Sequence, residues 1–315
     1  MAPSTKATLQ GTEPTVDHEA TPHRVAVPAA VNFHIFKPCN LRCRFCFATF
    51  RDVRGYLPVD DAFRLMALLR EAGCEKLTFA GGEPTLHPHF GALLAESRRL
   101  GFTTCVVTNG ARLAEVLDRQ PSDLDWVGFS VDSGKEDVQA ALGRGTGGHV
   151  RKTVALVEKA HARGIAVKLN TVVTRLTWNE DMTELVELLR PARWKVFQVL
   201  YVAGQNDGSV DDLLIDSTQF RTFVARPRAR GLDPVVEDNE AMTDSYAMID
   251  PLGRFYGDTG GRHRESAPIL EVGLATALAQ VGFRAEKLAA RGGLYDWSRA
   301  PGDLIPLRRR RSTEG

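Results

Sequence analysis

Three cysteines, Cys39, Cys43 and Cys46, form a Cys-x3-Cys-x2-Cys run within eight residues of a 315-residue chain that holds five cysteines in all. Three thiolates on one loop can bind three irons of a 4Fe-4S cubane and leave the fourth iron open to a chelating ligand. Structural zinc instead takes four ligands, typically in paired Cys-x-x-Cys or Cys/His sets, and no second set is apparent. The odd count and the crowding argue against a disulfide framework and for a metal site in a reducing compartment, so a cytoplasmic protein is expected. Phe45, beside the last cysteine, supplies an aromatic wall that limits solvent access to such a cluster. Cys74 and Cys105 border apolar segments and read as small buried hydrophobes.

Two further groups of residues have chemical potential. In Gly81-Gly82-Glu83-Pro84 the glycines let the backbone approach a ligand and the carboxylate can receive an ammonium group, although alone the run is just a turn. Lys76, Arg144, Lys168 and Lys195 lie near strand ends or in the loops after them, where they could converge at one mouth on an anion of about four negative charges, such as a triphosphate. Lys168 and Lys195 sit within apolar β-prone runs, and a buried lysine is costly unless paired. The plainer reading is that each caps a strand or pairs with an acidic neighbour.

These residues need a frame that brings them together. Apolar β-prone runs at Val31 to Phe36, Lys76 to Ala80, Thr103 to Thr108, Trp126 to Val131, Ala166 to Val173 and Val196 to Val202 alternate with stretches of helical period. The clearest helices are expected at Asp60 to Ala72, His87 to Leu100, Lys135 to Leu142, His149 to Arg163 and Asn179 to Leu189, with Asp60 and Asn179 as caps. Six βα units in succession imply an α/β fold with a parallel, right-handed sheet that curls into a full or partial barrel. Loops leaving the C-terminal ends of such strands converge on one face. The expected organisation is a tail at residues 1–24, a barrel at 25–215, a C-terminal extension at 216–300 that closes the open end, and a basic tail at 301–315. The Arg308 to Arg311 run reads as a solvated face.

Composition is that of an ordinary soluble domain. Hydrophobic residues make up 43%, charged residues 25%, and the formal net charge is +1, so no global field selects nucleic acid or a membrane surface. No apolar run approaches the roughly 18 residues that a span requires. A monomer without nucleic-acid or membrane partners is expected.

Taken in order on successive strands, the cysteine loop, the Gly-Gly-Glu-Pro turn, Thr108-Asn109-Gly110 and Ser130-Val131-Asp132-Ser133 resemble the radical S-adenosylmethionine (SAM) enzymes. The resemblance implies a partial (β/α)6 barrel with a 4Fe-4S cluster on Cys39, Cys43 and Cys46. It implies SAM held by the open iron and by Phe45, Gly81, Gly82, Glu83, Thr108, Asn109 and Ser130. A narrower resemblance is to the viperins, carried by Asn32-Phe33-His34, Cys46-Phe47-Ala48-Thr49, Leu142-Gly143-Arg144-Gly145, Lys168-Leu169-Asn170-Thr171-Val172 and Arg193-Trp194-Lys195-Val196-Phe197-Gln198. It continues in Asn179-Glu180-Asp181-Met182, Asp244-Ser245-Tyr246 and Arg291-Gly292-Gly293-x-Tyr295-x-Trp297, so it covers residues 30 to 300.

Viperins are similar in taking the 4′-hydrogen of a ribonucleoside triphosphate with a deoxyadenosyl radical, which after loss of the 3′-hydroxyl gives a 3′-deoxy-3′,4′-didehydro chain terminator in antiviral or anti-phage defence. The resemblance places Lys76, Arg144, Lys168, Lys195 and Arg291 around the triphosphate and Asn32 and Asn170 near the base and sugar. It implies an electron donor such as a flavodoxin or ferredoxin, and CTP as substrate, with UTP or GTP as alternatives. His34 reads as a packed strand histidine, and Tyr295 and Trp297 as packing.

Three departures from the animal viperins stand out. Residues 1–24 lack the apolar period of a membrane-attaching helix, the C-terminus lacks a terminal tryptophan, and Leu252 stands where a tyrosine proposed as proton or electron donor is found. Tyr256 is the candidate substitute. Rival readings are another radical SAM enzyme acting on a phosphorylated nucleotide or sugar, and a non-catalytic iron-sulfur interaction protein.

Overall fold

Strand residues of even and odd number separate cleanly in this chain. Leu77 and Phe79 of one strand, Phe33 and Ile35 of its neighbour, and Val127, Phe129 and Leu169 further along pack into one hydrophobic core beneath the helices. Their alternates Thr78, Ala80, Asn32, His34, Ser130 and Asn170 face a central cavity. The period of two is what lets one strand serve both a core and a site. In the computed structural model, which describes residues 28–293 and 295–297, six consecutive parallel strands carry this pattern: β1 (Ala30–Phe36), β2 (Lys76–Gly81), β3 (Thr103–Thr108), β4 (Trp126–Ser130), β5 (Ala166–Val173) and β6 (Arg193–Gln198).

The helices between them are α1 (Val59–Glu71), α2 (Phe90–Arg99), α3 (Leu113–Arg119), α4 (Glu136–Ala141), α5 (His149–His161) and α6 (Thr183–Leu189). In α1 the buried Ala62, Leu65, Met66 and Leu69 recur at i, i+3, i+4 and i+7, the stripe a helix needs to lie on a sheet. Neither expected cap forms as such.

 Asp60 lies in the first turn of α1, whose N-cap is Pro58 with no side-chain cap, and Asn179 precedes α6 by four residues, its oxygen taken by Arg226. Asp181 instead accepts from the Thr183 amide (2.9 Å) at the start of α6.

Beyond residue 215 the chain does more than close one end. An Asp216/Gln219 capping box starts α7 (Ser217–Ala229), which leads to a short strand β7 (Val235–Glu237) that extends the parallel run beside β6. After α8 (Asn239–Met242) the chain crosses to the other edge. There β8 (Met248–Ile249) lies parallel to β1 and is followed by antiparallel β9 (Arg254–Gly257) and β10 (Arg264–Pro268). The sheet order is β10-β9-β8-β1-β2-β3-β4-β5-β6-β7, an open ten-stranded arrangement. Helices α9 (Ile269–Val272), α10 (Leu274–Ala279) and α11 (Ala285–Ala290) follow. The loop after β6 meets the loop after β9 across the gap, where the Ala203 amide donates to the Gly261 carbonyl (2.8 Å). No helix among the described residues is long and apolar enough to cross a membrane. The two expected tails, at 1–24 and 301–315, lie outside the described residues.

Candidate active site

The loop after β1 carries Cys39, Cys43 and Cys46, and all three line a cavity of about 810 Å³. Backbone contacts that admit no side chain hold the loop. A Cβ on Gly82 would meet the Lys37 carbonyl at 2.1 Å, one on Gly81 the Phe36 carbonyl at 2.4 Å, and one on Gly143 the Arg42 carbonyl at 2.1 Å. Gly82 donates to the Phe36 carbonyl (2.6 Å), and the Arg42 and Arg44 amides donate to Gly143 (3.2 Å) and Leu142 (3.0 Å). The run Leu142-Gly143 is therefore a second seat for the cysteine loop.

Burial raises all three thiols, Cys46 to about 12, and Cys43 raises Cys46 further. Three crowded thiols need a polycation before they can share this loop as thiolates. Among the described residues no three His, Cys, Asp or Glu side chains converge as ligands of a single ion do. The cysteines instead border a cavity, as ligands of a multi-iron cluster must, and the residues fit a 4Fe-4S group better than a lone zinc ion. Phe45 is buried beside them with the Arg144 guanidinium 5.3 Å over its ring.

Of the residues expected to meet SAM, Phe45, Gly81, Gly82, Thr108, Asn109 and Ser130 line the cavity. Glu83 does not. Its Oε1 accepts from the Thr85 amide (3.1 Å), Thr85 Oγ1 (2.6 Å) and Thr108 Oγ1 (2.6 Å), and its Oε2 from the Asn109 amide (2.8 Å). The carboxylate is thus a clamp between the ends of β2 and β3. The motif reaches the cavity through its glycines. Asn109 Nδ2 in turn donates to Asn40 Oδ1 (2.9 Å) and lies 3.7 Å from the Cys39 sulfur.

Most of the cations gather at the opposite end, near the starts of the strands. Lys76 and Arg193 are the first residues of β2 and β6, Lys195 follows two residues later, and together with Arg291 they line a small chamber of about 50 Å³. Asn32, Thr78, Lys195 and Tyr246 border both this chamber and the large cavity. Lys195 pairs with Glu237 (2.5 Å) and donates to Tyr246 Oη (2.5 Å), while Arg291 pairs with the same carboxylate (3.1 Å) and lies 3.6 Å over the Tyr246 ring. Burial opposes the charge on Glu237, but Lys195 and Arg291 hold it below the usual glutamate range.

Asp125 acts on Lys76 electrostatically and supports its charge. The lysine bonds the Tyr295 hydroxyl and sits within 5.5 Å of the rings of Trp126, Tyr295 and Trp297, and burial, with Arg193 adding to it, pulls its pKa to about 8. Lys168 forms no hydrogen bond or ion pair among the described residues. Its chain runs past Gly128, where a Cβ would meet Lys168 Cε at 3.1 Å. Arg193 donates to the Gly292 carbonyl (2.5 Å) and stacks 4.0 Å over Tyr295.

Arg144 is not part of this group. It pairs with the buried Asp132 next to the cysteine loop and lines the large cavity there. Asn32 and Asn170 line the cavity between the two ends, and Asn170 Oδ1 is buried without a partner. Tyr256, the candidate donor, does not line the cavity. It is buried behind His34, 5.5 Å from that ring, in a cluster with Phe50 and His263. Leu252 packs into the same side cluster. Sequence reasoning gave no role to Arg193, Glu237 or Tyr246; the alternation of Arg193 and Lys195 on one strand face was the available signal.

The profile of the Radical SAM superfamily matches residues 34–189. The S-adenosylmethionine-dependent nucleotide dehydratase of Flammeovirga pacifica is 40% identical over 278 residues, which cover 85% of this chain and 96% of that protein. The S-adenosylmethionine-dependent nucleotide dehydratase of Lacinutrix mariniflava is 37% identical over 295 residues, covering 90% of this chain, and the chain spans 62% of that longer protein. Among solved structures, Streptococcus suis SuiB bound to precursor peptide SuiA superposes with a TM-score of 0.59 at 18% identity, over 73% of this chain and 59% of that one. That likeness is one of fold.

Proposed function

The chain belongs to the radical SAM superfamily, within its S-adenosylmethionine-dependent nucleotide dehydratases, and from that membership we propose that it removes water from a ribonucleoside triphosphate, CTP, to give the 3′-deoxy-3′,4′-didehydro nucleotide. One observation carries the reading. At the end of the cavity away from the three cysteines, Lys76, Arg193, Lys195 and Arg291 line one small chamber, Lys168 acts on Lys195 from nearby, and Glu237 pairs with Lys195 and Arg291. The excess of cations matches the charge of about minus four on a triphosphate.

Cys39, Cys43 and Cys46 would hold the 4Fe-4S cluster, and the glycines of β2 with Thr108, Asn109, Ser130 and Arg144 would surround SAM. When bound, the two supply a 5′-deoxyadenosyl radical, which takes the 4′-hydrogen. The protein's own part is placement. The cations would hold the triphosphate where the small chamber meets the large cavity, which would put the sugar toward the thiols, beside Asn32 and Asn170. The unpartnered Asn170 Oδ1 can accept from a ribose hydroxyl, an orientation that a buried acceptor favours strongly. After the C4′–H bond is broken, the C3′–O bond breaks and a C3′–C4′ double bond forms. One proton and one electron complete the departing water, the electron coming from a reductant of the flavodoxin or ferredoxin class. The product lacks a 3′-hydroxyl and would terminate RNA chains, which suits a role in antiviral or anti-phage defence.

The test is mass spectrometry of anaerobic reactions containing reconstituted protein, SAM, a reductant and each ribonucleoside triphosphate separately. The expected result is 5′-deoxyadenosine together with CTP converted to a product lighter by one water. Slow, equal SAM cleavage in all four reactions with no nucleotide product would leave the cluster in place and remove the substrate.

A further inference from the structure

Part of the large cavity's lining belongs neither to the cysteines nor to the basic chamber. Phe197, Met242 and Met248 give it apolar surface, and Gln198, Gln205 and Asp258 are its polar members. Gln198 is engaged within the protein, donating to the Ile215 carbonyl (3.0 Å) and accepting from the Asn239 amide (3.4 Å). The other two are only half engaged. Gln205 Oε1 accepts from Thr49 Oγ1 (2.9 Å) and the Phe50 amide (2.7 Å), which fixes the side chain and leaves Nε2 without an acceptor among the described residues. Asp258 Oδ1 accepts from the Asp244 amide (3.1 Å), its own amide also supports the carboxylate, and Lys287 acts on it electrostatically without an ion pair among the described residues.

Asp258 is 7% exposed and lines a cavity whose far end is strongly cationic. Burial raises its pKa above the usual aspartate range. A carboxylate so placed repels phosphate, so its partner must be the part of the ligand that offers N–H groups. Apolar side chains flanking one fixed donor and one free acceptor form a surface suited to a flat heterocycle with mixed polarity.

We infer that Asp258 and Gln205 read the edge of the nucleotide base, the Asp258 carboxylate accepting from an exocyclic amino group and Gln205 Nε2 donating to the adjacent ring nitrogen or carbonyl. Cytosine presents this order of amino donor and ring acceptor. Uracil sets a carbonyl oxygen against the carboxylate in the same pose and leaves both without a proton to share. The assignment rests on the proposed nucleotide substrate and names what selects its base.

The test is equilibrium dialysis of labelled CTP and UTP against reconstituted holoenzyme with SAM and no reductant, so that binding is read without turnover. Asp258→Asn keeps an acceptor for the Asp244 amide and turns the second position into a donor. The wild-type protein should favour CTP, and this variant should lower the CTP-to-UTP affinity ratio by at least about tenfold. Gln205→Glu keeps the acceptor for Phe50 and removes the donor, so it should weaken CTP by a similar factor. It decides the matter if the first variant does not fold. An unchanged ratio in a folded variant, or a wild-type preference for UTP, overturns the base assignment and leaves the dehydratase reading standing. Failure of the wild-type protein to bind any ribonucleoside triphosphate overturns both.

Discussion

Lys76 is poised to lose its charge near neutral pH, because burial and the neighbouring Arg193 bring its pKa to about 8. A depressed lysine is cationic below that value and neutral above it, so triphosphate affinity should fall as pH rises, by about fivefold between pH 8 and pH 9. Lys76→Arg, which stays charged throughout, should abolish that slope; dialysis across the pH series checks it, and an unchanged slope would show that another group titrates. Glu237 makes a second residue-scale test. Glu237→Gln leaves Lys195 and Arg291 buried without their anion, a loss of about 3 to 5 kcal/mol in comparable buried pairs. Calorimetry should show a lower melting temperature that inorganic tripolyphosphate raises more than in the wild-type protein; an equal rise would mean that the chamber does not take the anion. Both tests concern residues of unequal legibility. The cysteines, Lys76, Lys168 and Lys195 declare themselves in sequence because thiols in close spacing and lysines in apolar runs conflict with burial. Glu83, Arg144 and Glu237 do not, since whether a charged side chain is clamped by Thr108, paired with Asp132 or shared by Lys195 depends on chains brought together by the fold.

At the scale of elements, strands such as Thr103–Thr108 and Ala166–Val173 fall where their β-branched runs place them. The sixth strand begins at Arg193 and ends at Gln198, earlier than the run Val196 to Val202 suggests. The reason is physical: Arg193 and Lys195 point into a polar chamber, so the inward face of this strand begins charged and the apolar run is visible only from Trp194 and Val196 on the outward face. The short strands β7 and β8 have too few residues to show any period, and their places at opposite edges depend on tertiary pairing. Glycine positions give the element-scale prediction. Gly143 has φ of +85° and faces the Arg42 carbonyl, so Gly143→Ala adds left-handed strain of roughly 1 kcal/mol and a backbone collision. The cysteine loop must then shift. Iron and sulfide assays after reconstitution should find less than about half of the four irons a full cluster holds, and full occupancy would show that the loop does not depend on this seat.

For the molecule as a whole, the cavity joins two ends that different parts of the chain build. The cysteine end rests on the end of β1, on β2 and on the loop at Gly143, within the profile match, whereas the basic end is finished by residues from Arg291 onward. Tyr295 bonds Lys76 and lies under Arg193, and Trp297 is buried against Trp126, whose Nε1 donates to the Trp297 carbonyl (3.2 Å). These aromatics floor the barrel and seat the two cations, so the two ends should be separable. A chain stopped after Gly292 should bind iron and SAM normally, while its affinity for CTP falls by about a hundredfold as Lys76 and Arg193 lose their seats. Losing the buried tryptophan alone costs about 3 to 5 kcal/mol, so the comparison is made well below the melting temperature, with Trp297→Phe as a milder partner that keeps much of the floor. Dialysis for CTP beside an iron assay on the same samples reads both ends at once. If CTP affinity survives the truncation, the floor is packing only and the phosphates are held by Lys168, Lys195 and Arg291 without it; if iron is lost as well, the two ends fold as one unit and the triphosphate chamber is part of what stabilises the cluster loop.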